Sequence, residues 1–139
     1  MFFREFKTTT TASRQAVWAL WSDVNRWSTW NPGTAHAELK GPFVAGAEFS
    51  MTPSGQDPMP FRLTQVQEGF SFTDETSMGD ICVTVEHRIV ERVGEPLELV
   101  YAARVTGPDA AQIGAAITED FDDVLSALVR EAERDLMAA

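Results

Sequence analysis

Apolar residues are distributed along the chain in three different rhythms. From Thr34 to Thr106 they fall in short alternating runs broken by Gly41-Pro42, Ser54-Gly55, Gly69, Gly79-Asp80 and Gly94-Glu95-Pro96, the period-two mark of half-buried strands joined by tight turns. The connections are too short for parallel crossovers, so the spacing predicts about six antiparallel strands. Two of them are especially clear. In residues 81–91, Ile81, Val83, Val85, His87 and Ile89 share one face, leaving Cys82, Thr84, Glu86 and Arg88 on the other. In residues 96–106, Leu97, Leu99, Tyr101, Ala103 and Val105 face the same way, so one side of the sheet is covered and the other wet.

The segments on either side follow other periods. Residues 2–10, FFREFKTTT, are aromatic and β-branched and predict a further strand, which ends before Ser13, a good N-cap for RQAVWALW. In that helix Val17, Leu20 and Trp21 lie at helical spacing while Arg14 and Gln15 face water. Asp23 reads as a fresh cap for a second short helical turn, closed by Asn31-Pro32-Gly33. After Gly107, Asp109 and Gln112 have capping-box spacing, and Ile113, Ile117, Phe121, Val124 and Leu128 draw one apolar stripe. A single helix of about 28 residues would run for about 42 Å at 1.5 Å per residue, long enough to lie across the whole sheet. Glu119, Asp120, Asp122 and Asp123 crowd its middle.

These elements predict an α+β domain spanning residues 1–139: a curved seven-stranded antiparallel sheet wrapped around a long C-terminal helix, with two short helices after the first strand. A curled sheet and a straight helix cannot touch along their full length. The space between them is either a cavity, enlarged by Gly114, Ala115 and Ala116 if these face the sheet, or is closed by Phe49, Met51, Phe61, Phe70 and Phe72, as in most protein interiors.

Charge narrows the partners. Twenty-one acidic against eleven basic side chains give a formal charge of −10, whereas phosphate-backbone binding needs a concentrated basic surface, so no nucleic acid and no stable association with an anionic membrane is expected. Cys82 is the only cysteine, the opening apolar run is too short for a signal peptide, and no stretch is long enough for a membrane span. A cytoplasmic protein, monomer or homodimer, is the expectation.

Candidate chemistry is sparse. His87 is polar on a face otherwise filled by Val and Ile, and Tyr101 lies on the inward face of the neighbouring strand; in a cavity the imidazole could serve as acid or base and the phenol could orient a carbonyl. Equally, His87 could be a buried histidine bonded to a backbone carbonyl or to Tyr101. Thr8, Thr10, Asp74 and Glu119 are further polar groups that could join them. His36 and Glu38 share a face but lack a third ligand, so no metal and no cofactor is expected. No nucleophile elbow, HExxH, CxxC or phosphate loop occurs.

The run ASRQAVWALWSDVNRWSTWNP after the first strand, then AELKGPFVAGAEF, a long hairpin carrying EHRIVE, and VTGPDA leading into the last helix together resemble the START-like or SRPBCC superfamily, most of all its bacterial polyketide cyclase/dehydrase branch. The resemblance covers nearly the whole chain and implies a helix-grip fold with a hydrophobic cavity for lipids, polyketides or other apolar molecules. It also implies that the segment after the first helix runs along one end of that cavity, so that Trp27 and Trp30 point inward from a polar stretch. The expected ligand-binding set is then Trp27, Trp30, Phe49, Met51, Phe61 and Phe70, with Phe72, Val85, His87, Tyr101, Ile117 and Phe121. Binding of a hydrophobic small molecule is the leading expectation. A cyclase or dehydratase using His87, with Tyr101, is the alternative, and a co-chaperone-like interaction module with a filled cavity is the third.

Overall fold

A computed structural model describes residues 1–134. The strands β1 (Phe2–Thr10), β2 (Thr34–Leu39), β3 (Glu48–Pro53), β4 (Met59–Gln67), β5 (Ser71–Met78), β6 (Ile81–Val90) and β7 (Leu97–Thr106) form one antiparallel sheet in the order β1-β7-β6-β5-β4-β3-β2. The meander from β2 to β7 pairs each strand with the next. β1 closes the other side by pairing Phe6 with Tyr101 and Phe2 with Val105. Register shifts at Thr34/His36 and Leu63/Gln65 mark bulges in β2 and β4, which add local bend and twist to the sheet. In the β6–β7 hairpin His87 pairs with Tyr101, Val85 with Ala103 and Ile89 with Leu99, so the inward face expected from alternation is the buried one.

Between β1 and β2 the chain forms α1 (Arg14–Ser22), a 3-10 turn at Val24–Arg26 and α2 (Trp27–Trp30). Ser13 caps α1 as its residue type predicts, its hydroxyl oxygen accepting the Ala16 N–H at 3.1 Å. Asp23 does not cap with its side chain; its carbonyl accepts the Arg26 N–H instead. Asn25 ties this segment to the sheet, accepting the Leu39 N–H and donating to the Leu39 carbonyl.

The C-terminal helix departs from the straight rod in two ways. Asp109 does not form the expected capping box with Gln112: its backbone is left-handed, with φ 58°, rather than the extended geometry from which an N-cap carboxylate reaches the next turn. The helix also bends, as α3 (Ala110–Ile117) and α4 (Phe121–Ala132). At the bend the Thr118 hydroxyl donates to the Gly114 carbonyl at 2.8 Å, a side-chain bond that competes with the helical ladder. The bend gives the acidic run a purpose in the fold, because Asp122 and Asp123 now occupy the first turn of α4, where the helix dipole favours negative charge. The part of the expected terminal helix after Arg134 lies outside the described residues.

The core is divided. A large cluster under α1 and α4 contains Val17, Trp21, Val24, Leu63, Leu99, Leu125 and Leu128, and a smaller one under α3 contains Val83, Val85, Ala103, Val105 and Ala110. Phe121 packs against both. Gly114 lets α3 lie directly on Phe2, whose ring would overlap any Cβ added there. Gly114→Ala is therefore expected to destabilise the fold by about 1–3 kcal/mol through overpacking, although alanine is the better helix former by about 1 kcal/mol. Urea unfolding checks this, and Phe2→Ala in the same background should recover part of the loss.

Candidate functional site

A cavity of about 650 Å³ lies between the sheet and the bend in the C-terminal helix. The order in which residues alternate along the strands decides which side chains face it. Phe72 on β5 is buried against the core, and Asp74 and Thr76, two and four residues on, face the same side and are also buried. β6 contributes Val83, Val85 and His87, and β7 contributes Tyr101. The far wall is Met51, Met59 and Phe61 on β3 and β4, and the roof is Ile117, Phe121 and Val124 from the bent helix.

Trp27 and Trp30 both line the cavity from α2. Trp27 is buried, donates its indole N–H to the Trp21 carbonyl at 3.1 Å and sets its ring edge-on to Phe49 at 5.4 Å. Trp30 is half-buried beside Asn31, Pro32 and Gly33. Two of the expected lining residues stand elsewhere. Phe49 is buried behind the wall, stacked on Phe61 with ring centroids 5.3 Å apart, and holds that ring from outside the cavity. Phe70 does not line the cavity: it sits in the turn before β5, 48% exposed, with the Arg14 guanidinium over its ring. Alternation gave it the parity of Phe72, but the strand begins only at Ser71.

Trp21 is the wall residue that the sequence marked only as helix core. It is 1% exposed and touches Phe72, His87 and Tyr101 through its ring. Its indole N–H donates to the Tyr101 hydroxyl at 3.2 Å, which engages the phenol oxygen as an acceptor and leaves the phenol proton to be donated. Burial raises the Tyr101 pKa above the ordinary phenol range, and the charge of Asp74 adds to the effect.

His87 lies flat on Phe72 at 3.9 Å, with Nδ1 3.3 Å from the Phe72 carbonyl oxygen. A carbonyl only accepts, so Nδ1 carries the proton and Nε2 the lone pair. Burial pushes the imidazole down to about 3, against the pull of the backbone carbonyls, so it is neutral at neutral pH.

Asp74 has the opposite disposition. It is 7% exposed, and burial alone raises its carboxyl to about 7. Neighbouring polar groups are engaged elsewhere: the Thr76 hydroxyl donates to the Pro60 carbonyl at 2.7 Å. At the mouth stand Glu119, Asp120 and Asp123, where burial raises the Asp120 carboxyl and the Asp123 and Glu119 charges add to the shift. No lysine or arginine lines the cavity among the described residues. Gly33 meets the bend so closely that an added Cβ would overlap the Asp120 carboxylate.

The remaining polar candidates lie apart. The Thr10 hydroxyl is bonded to Glu133, Thr8 is on β1 away from the cavity lining, and His36 and Glu38 are exposed, 3.9 Å apart. Among the described residues no group of three or more ligating side chains could hold a metal ion, and no helix is long and apolar enough to cross a membrane.

This sheet, its bent helical grip and the cavity between them define a START-like, helix-grip fold. Comparison with solved structures agrees. Protein MLL2253 from Mesorhizobium loti superposes with a TM-score of 0.79 at 9% identity, covering 96% of this chain and 98% of that one. A START superfamily protein from Mycobacterium smegmatis gives 0.75 at 14% identity, covering 95% and 97%. Norcoclaurine synthase from Thalictrum flavum, as a point mutant in complex with a transition-state analogue, gives 0.73 at 11% identity, covering 94% and 93%. No family model matches the chain, and no curated protein does.

Proposed function

We propose that the protein binds an apolar or partly aromatic small molecule, of lipid, polyketide or related type, in the cavity between the sheet and the C-terminal helix. The observation that carries this reading is the 650 Å³ space itself. It is within the usual range for ligand pockets and is walled for the larger part by aromatic and aliphatic side chains. Burial of ligand surface would supply the affinity, at about 25 cal/mol per Å² before ordering costs. The lone cysteine and the charge of −10 suit a soluble cytoplasmic monomer or homodimer, and an open cavity counts against a co-chaperone-like module.

Val85 offers the direct test, because its side chain faces the cavity from the middle of β6. Val85→Trp is expected to weaken binding of a neutral apolar fluorophore such as N-phenyl-1-naphthylamine by at least tenfold, with an unchanged circular dichroism spectrum. Phe70→Ala, outside the cavity, should bind as the parent does. Equal binding by the parent and Val85→Trp, or no binding by the folded parent, would refute the reading.

One observation favours an enzymatic reading as the second choice. A buried carboxyl poised at about 7 suits proton transfer near neutral pH, as in a cyclase or dehydratase. Norcoclaurine synthase is an enzyme of this fold. On this reading Asp74 exchanges the proton, Tyr101 orients the substrate oxygen, and neutral His87 serves as an acceptor. A sample that binds polyketones and never converts them supports binding alone.

A further inference from the structure

We infer that the ligand carries a basic nitrogen, bound as its ammonium form by the Asp74 carboxylate at the inner wall of the cavity. This rests on the binding function proposed above and adds the ligand's charge. Asp74 is more than nine-tenths buried and makes no side-chain hydrogen bond or ion pair among the described residues, and since no side-chain oxygen is sealed off without a partner, its carboxylate opens into the cavity it lines. A carboxylate in such a wall is costly unless a counter-charge or donor meets it, and none of the described residues supplies either. The titratable groups that face the same space are neutral or acidic: His87 from β6, Tyr101 from β7, and Glu119, Asp120 and Asp123 from the helix bend. No lysine or arginine among the described residues lines the space to oppose them.

The acidic mouth reinforces the choice. Three carboxylates around the opening of an apolar cavity raise the local concentration of cations and repel anions, which disfavours fatty acids and phosphate esters as ligands. Inside, the rings of Trp21, Trp27, Phe72 and Tyr101 surround the space, and aromatic faces attract an organic cation as well as its apolar body. A hydrophobic molecule with one amine would meet the Asp74 carboxylate with a counter-charge and the rings with its apolar body.

Four compounds of one shape separate the possibilities: 1-naphthylmethylamine, 1-naphthylmethanol, 1-acetonaphthone and 1-naphthoic acid, titrated calorimetrically into the full chain at pH 8. The amine is expected to bind at least tenfold tighter than the alcohol and the acid weakest of all. In Asp74→Asn the amine should fall to the affinity of the alcohol, with the alcohol changed less than twofold. Lowering the pH to 5.5 should erode the amine preference in the parent and leave little to erode in Asp74→Asn. If alcohol and amine bind alike, or Asp74→Asn leaves the preference intact, the inference fails while the cavity remains a binding site. Tightest binding of the ketone would assign Asp74 the role of neutral donor and overturn it. Tightest binding of the acid would also overturn it. If none of the four binds and the neutral fluorophore does not either, the proposed function itself falls.

Discussion

Trp21→Ala is expected to cost about 3–5 kcal/mol of stability, the range for removing a large aromatic side chain from a packed core. Only 1% of Trp21 is exposed. Its ring meets Trp18, Phe72, His87 and Tyr101, so its loss would leave a hole beside a cavity that already lacks filling atoms. The substitution would also remove the indole donor from the Tyr101 hydroxyl, a buried group for which a lost partner costs about 1–3 kcal/mol. A small domain holds only about 5–15 kcal/mol in total, so a marked drop in the urea midpoint should be visible. Trp21→Phe keeps part of the packing and should fall between the two. A loss below about 1 kcal/mol for Trp21→Ala would mean that the ring is not packed as described.

The second large effect concerns pH. The Asp74 carboxyl is raised by burial from 3.8 to about 7, so between these values the folded chain holds a proton that the unfolded chain releases. Stability from this group is therefore intact below pH 3.8, declines as the pH rises through that window and is fully lost above pH 7. At 1.36 kcal/mol per unit, the penalty at pH 8 is at most about 4 kcal/mol. Asp74→Asn, which cannot ionise, should be more stable than the parent at pH 8 by up to that amount and nearly equal to it at pH 4. Urea unfolding of both proteins across the range isolates Asp74, because all other carboxylates are shared. An Asp74→Asn protein less stable than its parent at pH 8 would contradict the burial of an unpartnered charge. An ammonium ligand would offset the same penalty, which links this measurement to the binding inference.

Much of the fold was legible because alternation and turn residues act locally. The face of β6 and β7 that carries His87 and Tyr101 followed directly from period two, and the α1 cap followed from Ser13. The site was legible in part for the same reason: Val85 and Tyr101 are mid-strand, where parity is reliable. Phe70 misled because a strand's first residue is set by where the turn ends, which parity does not record. Asp74 shares the parity of Phe72, so its inward aspect was available from SFTDETSM; its lack of a partner was not, since that depends on which side chains the folded sheet and helix bring around it, as when the Thr76 hydroxyl bonds to Pro60 across the sheet. The helix bend was hidden for a different reason. The apolar stripe from Ile113 to Leu128 runs through it unbroken, and only the crowding of acids after Thr118 signals a new N-terminus. Trp21 shows the limit of helical periodicity, which distinguishes inside from outside but not filled core from cavity wall.

The two halves of the bent helix are held in different places. α4 buries Val124, Leu125, Ala127, Leu128 and Ala132, whereas α3 buries only Ala110 and Gly114. Seated separately in this way, α4 on the large cluster and α3 on the small one, the two halves leave the bend around Thr118 standing over the space that neither fills, so the guest's room is set by where the two grips part.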